Sequence, residues 1–192
     1  MATPWPVVGS SPNRICSLLN MPDSNSDPRR PAQASLARQV LADPVHWLAF
    51  GFGAGLLPVA PGTWGSLLAV LLFALLPPLP WQWTLAGLAA LFVAGIWICG
   101  ASARRLGVHD HGGIVLDEVL GMGLVLLITP PGWLWILAAF LLFRLFDVWK
   151  PWPIRDVDHS VSGGLGIMLD DVLAAAYAMF FIWLIGLAIA VF

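Results

Sequence analysis

The chain has 192 residues, of which 59% are hydrophobic and only 10% are charged, and its formal net charge is −2. Soluble domains carry about a quarter charged residues. This composition, with a mean hydropathy of +0.84, therefore predicts an integral membrane protein of one domain. The small negative charge excludes the broad positive field of a nucleic-acid-binding protein. The two cysteines, Cys16 in a polar segment and Cys99 in an apolar one, indicate no disulfide framework.

The first part of the chain, residues 1–43, differs in composition from the rest. It is rich in Pro, Ser, Asn and Arg and has no sustained hydrophobic period. Such a segment is predicted to be mostly disordered, with a short helix near residues 34–42. It also lacks the apolar core of a signal peptide. We therefore expect a cytoplasmic tail over residues 1–43 and a single membrane-embedded domain over residues 44–192.

The domain divides into apolar segments separated by proline and glycine. No charged residue occurs from Val45 to Ala103, which is too long for one crossing at about 20 residues per span. The first segment, near residues 45–57, is short and glycine-rich, and we expect a re-entrant or interfacial helix there. The predicted fold class is all-α, a polytopic membrane helical bundle. Its five transmembrane helices are expected near residues 63–79, 81–101, 114–129, 132–148 and 170–191.

The basic residues predict how the bundle is oriented. All nine Lys and Arg lie in the tail, in the loop after the second span, or beside the loop before the last span. The proline-rich turns near residues 77–80 and 129–132 have none. By the positive-inside rule, the charged loops are cytoplasmic and the proline-rich turns are outside.

Five carboxylates lie at the predicted cytoplasmic ends of three different helices. We expect the first two about one turn inside their span and the last two at the start of the final span. A charge at such a depth is costly unless it is paired or bound to metal, and carboxylate oxygens are the ligands that Mg²⁺ prefers. The alternative is a group of hydrated acidic helix starts. The predicted metal ligands are Asp117, Glu118, Asp147, Asp170 and Asp171, and the predicted catalytic acids are Asp117, Glu118, Asp147 and Asp171.

Basic side chains, hydroxyl groups and a glycine-rich turn near these acids are candidates for binding phosphate. The hydroxyl groups follow a Pro-Gly break, where the N-terminus of a membrane helix favours an anion, or where they simply cap the helix. The glycine-rich turn has backbone N–H groups that can hold phosphate, or it is a flexible loop. The predicted phosphate-binding residues are Arg144, Lys150, Arg155, Thr63, Ser66, Gly163 and Gly164.

Two histidines, His109 and His111, flank Asp110 just before the third predicted span. Histidine titrates near neutral pH, so either ring could act as an acid, a base or a phosphate donor. The alternative is a polar turn at the membrane interface. His111 is the preferred catalytic candidate because it lies nearer to Asp117 along the chain.

Two short motifs match soluble phosphatases, but their sequence context argues against both. CGASARR, residues 99–105, fits the C-x5-R pattern of cysteine phosphatases, whose loop needs a strand and a tight turn. Here the motif consists of helix-forming residues at the end of an apolar run. Asp156 and Asp158 resemble the D-x-D motif of haloacid dehalogenases, but they follow Lys-Pro-Trp-Pro-Ile-Arg and not a hydrophobic strand.

Four blocks occur in one order between residues 45 and 180: PGTWGS, VHDHGGIVLDE, FRLFDVWKPWPI and GGLGIMLDD. Together they resemble the phosphatidylglycerophosphatase A family of bacteria. The resemblance implies a Mg²⁺-dependent phosphatase of the inner membrane. Its substrate would be the lipid phosphatidylglycerophosphate, and its products phosphatidylglycerol and inorganic phosphate. The long polar tail is not explained by this resemblance.

The residues alone leave two other classes of membrane protein open, a cation transporter and a structural protein. A small cation transporter would place acids near the midplane and on both sides of the membrane, whereas these acids cluster at one end. A structural protein would not require five acids facing one site. Purified protein in a flux assay and in a phosphate-release assay distinguishes these classes. The sequence does not predict the oligomeric state.

Overall fold

The computed structural model describes residues 29–107 and 111–191, so Cys16, His109 and Asp110 lie outside the described residues. Within these ranges every regular element is a helix, which confirms the all-α class. The helices are α1 (Arg29–Ala42), α2 (Pro44–Ala49), α3 (Pro61–Leu75), α4 (Trp81–Leu106), α5 (Leu116–Ile128), α6 (Trp133–Trp149), α7 (Ile154–Ser160) and α8 (Gly164–Val191), with a 3-10 segment, Gly51–Leu56, between α2 and α3. Contacts divide the chain into two units, of which the second comprises residues 37–192.

The helices differ in their ability to cross a membrane. By length and composition, α4 and α8 are long and apolar enough to do so, and α3 is apolar but shorter. At 1.5 Å per residue, the 26 residues of α4 extend for about 39 Å and the 13 residues of α5 for about 20 Å. The five predicted spans correspond to α3, α4, α5, α6 and α8. Of these, α4 and α8 are the two that are long and apolar enough to cross a membrane.

Helix α5 lies at the centre of the second unit, in contact with α3, α4, α6 and α8. Its buried residues Met122 and Val125 belong to one apolar core with Phe143 of α6 and Ala178 of α8. Gly121 of α5 permits this packing, because a Cβ atom there would lie 2.7 Å from the ring of Phe143. Close approach at small residues is how helices pack when lipid and not water surrounds them.

The start of α5 is set by its contact with α2. The N–H of Val115 donates to the carbonyl of Ala49 at 2.9 Å, which holds the preceding turn away from helical geometry. The helix therefore begins at Leu116, and Asp117 and Glu118 lie in its first turn. The prediction that these two acids lie about one turn inside the helix is wrong.

Helix α2 is in turn attached to α4. His46 Nδ1 and Ser102 Oγ share a hydrogen bond of 2.8 Å, and both side chains are buried. At the start of α2, Asp43 accepts from the N–H of Val45 and pairs with Arg105 of α4. The backbone hydrogen bond and the charge of Arg105 outweigh partial desolvation and hold the pKa of Asp43 below its ordinary value. Residues 44–56 are thus two short helical segments anchored to longer ones.

The last helix begins earlier than predicted. α8 starts at Gly164, so Asp170 and Asp171 lie in its second turn, and the prediction that they open the helix is wrong. Gly164 packs on α4 so closely that a Cβ atom would lie 1.8 Å from the carbonyl oxygen of Ile96. The glycine-rich sequence is therefore a helix start docked on a neighbour, and the flexible-loop alternative is wrong for Gly164.

The structure also settles the conformation of three short motifs. Cys99 lies within the continuous helix α4, and Asp156 and Asp158 lie on α7, which the sequence analysis had assigned to a loop. Helix α3 is preceded by Ala60 at a left-handed φ of 49°, with no side-chain cap. Ser66 instead donates to the carbonyl of Gly62 within the helix at 3.0 Å, so the capping alternative is wrong.

Candidate active site

The first turn of α5 and the second turn of α8 bring three carboxylates together. One oxygen from each of Asp117, Glu118 and Asp171 lies within 4.8 Å of the others. Asp117 is 9% exposed and Asp171 2% exposed, so the group is largely enclosed by protein. The positive end of the α5 dipole favours acids at this position, but about half a unit charge cannot balance three carboxylates.

The enclosed oxygens of this group lack hydrogen-bond donors. Within the described residues, Glu118 Oε2 and Asp171 Oδ2 are buried and make no hydrogen bond. Asp117 differs, because its Oδ1 accepts from the N–H of Glu118 at 3.1 Å. Buried carboxylate oxygens without donors are costly unless a cation or a proton neutralises them.

The chemistry of this donor set fits a hard divalent cation. All three ligands are carboxylate oxygens, which suit Mg²⁺ in preference to softer metals that bind Cys or His. The two oxygens without donors are also the ones that a cation would satisfy. Asp117, Glu118 and Asp171 are thus the residues present that could hold a metal ion.

The N-terminus of α3 closes one side of the group through Gly62, a residue that the sequence analysis did not single out. A Cβ atom on Gly62 would lie 2.1 Å from Glu118 Oε1 and 3.0 Å from Arg144 Nη1. Gly62 belongs to the block PGTWGS, but the sequence alone does not show that Glu118 and Arg144 lie beside it. Thr63, the adjacent phosphate candidate, is half-buried in the same first turn.

Helix α6 contributes an ion pair beside the three acids. Arg144 Nη1 lies 2.5 Å from Asp147 Oδ2, and the two side chains are 18% and 13% exposed. Nη1 makes no hydrogen bond within the described residues, although its charge is paired. Asp147 also faces Asp171. Asp147 is therefore shared between a basic partner and the acid group.

A second basic residue, Lys150, pairs with acids from two elements. Its Nζ lies 2.6 Å from Asp170 and 3.1 Å from Asp158 of α7. Burial lowers the pKa of Lys150, but hydrogen bonds and charge from both carboxylates outweigh burial and raise that pKa above its ordinary value. Lys150 has a left-handed φ of 44° just after α6, which aims its side chain toward these two partners. Asp158 is a residue of this region that the sequence analysis did not assign.

The remaining candidates lie around this centre. His111 is half-buried in the turn before α5, where its Nδ1 accepts from the N–H of Gly113 at 3.0 Å. Arg155 is exposed on α7 and, among the described residues, its guanidinium forms no ion pair. Gly163 lies just before α8 with a φ of 80°. The structure thus groups Asp117, Glu118 and Asp171 closely, and Arg155, Gly163 and Gly164 lie outside that group.

Comparisons with known proteins match the sequence of this chain to one family. A family model described as Phosphatidylglycerophosphatase A matches residues 47–186. Phosphatidylglycerophosphatase A of Escherichia coli K12 is 44% identical over 152 residues, which cover 78% of this chain and 88% of the relative. Phosphatidylglycerophosphatase A of Haemophilus influenzae is 49% identical over 147 residues, which cover 76% and 90%.

A third relative carries a different name. A putative phosphatidylinositol-3-phosphatase of Bacteroides thetaiotaomicron is 43% identical over 148 residues, which cover 71% of this chain and 92% of the relative. No solved structure gives a significant match.

The names of the family model and of these relatives indicate a phosphatase, a hydrolase that acts on phosphoric monoesters. The chain belongs to the phosphatidylglycerophosphatase A family, which confirms the resemblance seen in its four sequence blocks.

Proposed function

We propose that this protein hydrolyses phosphatidylglycerophosphate to phosphatidylglycerol and inorganic phosphate, with Mg²⁺ as its cofactor. The observation that carries the proposal is the group of Asp117, Glu118 and Asp171, whose carboxylate oxygens lie within 4.8 Å of one another. The names of the Escherichia coli and Haemophilus influenzae relatives support the choice of substrate.

The acids divide into metal ligands and charge partners. Asp117, Glu118 and Asp171 would hold Mg²⁺, while Asp147 and Asp170 are each paired with a basic side chain. When bound, Mg²⁺ supplies a positive charge that favours the phosphoryl group at this site and stabilises its reacting oxygens.

The basic side chains orient the phosphate. Arg144 has an Nη1 that makes no hydrogen bond within the described residues, so it can donate to a phosphoryl oxygen while Asp147 keeps its charge paired. Lys150 adds positive charge at the end of α6. Thr63 offers a hydroxyl group from the first turn of α3, whereas the hydroxyl of Ser66 is already donated to Gly62. Arg155, Gly163 and Gly164 stay phosphate-binding predictions.

The reaction is a hydrolysis in which a water oxygen bonds to phosphorus and the ester P–O bond breaks. A carboxylate of the group accepts the proton of the water, and the released glycerol oxygen takes up a proton. His111 is the proposed donor, because its Nδ1 accepts from Gly113 and the neutral ring therefore carries its proton on Nε2. Attack by water is preferred to attack by an aspartate.

The same proposal includes the membrane. Helices α3, α4, α5, α6 and α8 cross it, and all of the site residues named above lie at the end that carries the basic loops. The positive-inside rule then makes this end cytoplasmic. The acyl chains of the substrate stay in the bilayer while its headgroup reaches the acids at the interface.

The test is phosphate release by purified protein in mixed micelles, with Mg²⁺ and then with excess EDTA. We expect release that stops with EDTA and returns when Mg²⁺ is restored. The control is Cys99→Ser, which should stay active because Cys99 is buried within α4 and lies against Met168. Phosphate release that is unchanged by EDTA but abolished in Cys99→Ser would contradict the proposed mechanism.

The substrate itself is tested in the same assay. Phosphatidylinositol 3-phosphate is the comparison lipid, because the name of the Bacteroides relative points to it. We expect faster release from phosphatidylglycerophosphate. Faster release from the inositol lipid would replace the proposed substrate, and cation flux in vesicles without phosphate release would restore the transporter hypothesis.

A further inference from the structure

We propose that Gly62 is a positioning residue for the metal site, because its missing side chain leaves the space in which the carboxylate of Glu118 lies. This inference rests on the proposed function. A Cβ atom on Gly62 would come within 2.1 Å of Glu118 Oε1, far inside any real contact distance. The carboxylate is therefore seated directly on the first turn of α3, where only glycine allows it.

The position of Glu118 matters because one of its oxygens is part of the acid group. Oε2 is enclosed and makes no hydrogen bond within the described residues, and Asp171 Oδ2 is in the same condition. Glycine at position 62 lets the carboxylate approach α3 while one of its oxygens stays within 4.8 Å of an oxygen of Asp171 and of Asp117. A larger residue would push the carboxylate away from both partners.

The neighbouring glycine on the same face has a different role. Gly65 meets the backbone and Cβ of the α5 start, since its own Cβ would lie 2.8 Å from Val115 Cβ and 3.0 Å from the Val115 carbonyl oxygen. Gly65 therefore sets how closely two helices approach. At Gly62, by contrast, the three atoms nearest to a Cβ position all belong to the ends of two side chains, Glu118 and Arg144.

This difference predicts how the two substitutions behave. A side-chain end can swing aside, so Gly62→Ala should fold and instead displace the carboxylate of Glu118. Gly65→Ala collides with a backbone and should lower the thermal stability with or without metal. Gly87 is the matched control, because it lies on exposed α4 surface with nothing within 4 Å of its Cβ position.

The experiment measures Mg²⁺ binding separately from activity. Wild type, Gly62→Ala and Gly87→Ala are titrated with Mg²⁺ in micelles, and the rise in thermal midpoint and the Mg²⁺ concentration for half-maximal phosphate release are recorded. Displaced ligands and their supports typically change metal affinity by about 10–100-fold. We expect Gly62→Ala to need at least about tenfold more Mg²⁺, and Gly87→Ala to match wild type.

A second pair of variants tests whether the contact is with Glu118. In the Glu118→Ala background the carboxylate is gone, so adding Gly62→Ala should leave the metal-free thermal midpoint unchanged. This comparison also serves if Gly62→Ala alone does not fold. A further loss in the double variant would overturn the proposal, because the new methyl group would then be colliding with something else.

The outcomes separate this proposal from the function on which it rests. If Mg²⁺ stabilises wild type and Gly62→Ala responds equally, the role of Gly62 is refuted and the metal site remains. If Mg²⁺ neither stabilises nor activates wild type, the proposed function itself fails, and this inference fails with it.

Discussion

Two adjacent acids on α8 have opposite surroundings. Asp170 lies 2.6 Å from the ammonium group of Lys150, which also pairs with Asp158. Asp171, the next residue, is 2% exposed, and its Oδ2 makes no hydrogen bond within the described residues. Successive residues on a helix point about 100° apart, so one turn of α8 presents one acid to a base and the other to more acids.

The comparison separates a structural acid from a functional one. Asp170 has a basic partner inside the protein, which it shares with Asp158. The neighbours of Asp171 are Asp147, Asp117 and Asp170, all of which repel its charge. Such surroundings favour a bound cation or a proton, so we expect Asp171 to contribute more than Asp170 to the proposed activity.

The largest expected effect is the difference between Asp171→Asn and Asp170→Asn. Loss of a residue that supports a metal ligand typically costs 10–100-fold in affinity or activity. We therefore expect Asp171→Asn, which changes a ligand, to lose at least about 100-fold in phosphate release at fixed Mg²⁺. Asp170→Asn should lose about tenfold or less.

The control for this pair is Asp156→Asn, an exposed acid in the first turn of α7. It should leave the rate near that of wild type. Equal losses in Asp170→Asn and Asp171→Asn would remove the distinction between the two acids and require a metal site that includes both.

An intermediate effect is expected at the Arg144–Asp147 pair. Arg144→Ala leaves Asp147 largely buried without its base, which costs about 3 kcal/mol for buried pairs and less here because both side chains are partly exposed. Removing both charges in Arg144→Ala with Asp147→Ala should restore part of the loss. The thermal midpoints of wild type, Arg144→Ala, Asp147→Ala and the double variant together measure this coupling.

The stability of the double variant also tests whether Asp147 depends on Arg144 alone. A double variant less stable than Arg144→Ala would mean that Asp147 is stabilised by something other than Arg144. Asp147 would then belong with Asp171 among the metal ligands, as the sequence analysis predicted.

The smallest expected effect concerns pH and Lys150. Its pKa is raised in the folded protein, so the stability gained from its ion pairs is complete below the unfolded pKa, near about 10.4, and is lost only as pH rises through the higher folded value. The difference in thermal midpoint between wild type and Lys150→Met should thus stay constant from about pH 7 to about pH 10. A difference that shrinks within this range would show that Lys150 loses its proton there, and Asp170 would lose its counter-ion with it.

The long helices could be predicted from the sequence because their ends carry local signals. The α6 prediction, residues 132–148, differs by one residue at each end from Trp133–Trp149. A glycine-containing turn precedes this helix and Pro151 follows it closely, and such signals act over a few residues. The grouping of acids at one end also followed from helix order and the positions of Asp117, Asp147 and Asp171.

The errors arose where a distant residue decides the local structure. The start of α5 depends on a hydrogen bond to Ala49, and the start of α8 depends on the space that Gly164 finds beside Ile96. The roles of Gly62 and Asp158 were not predicted for the same reason, because each residue contacts a partner that lies outside its own helix. Periodicity specifies which face of a helix is buried, but it does not specify which helix covers that face.

The attachment of α2 has a consequence for the order of events during synthesis. Ala49 must find Val115, 66 residues later in the chain, and His46 must find Ser102, 56 residues later. At about 5–20 residues per second, the ribosome needs about 3–13 s to make the chain between Ala49 and Val115. The segment that leaves the ribosome before α3 and α4 therefore reaches its final place only after both helices and Val115 have been made. Val115 directly precedes the first turn of α5, which carries two of the three grouped acids.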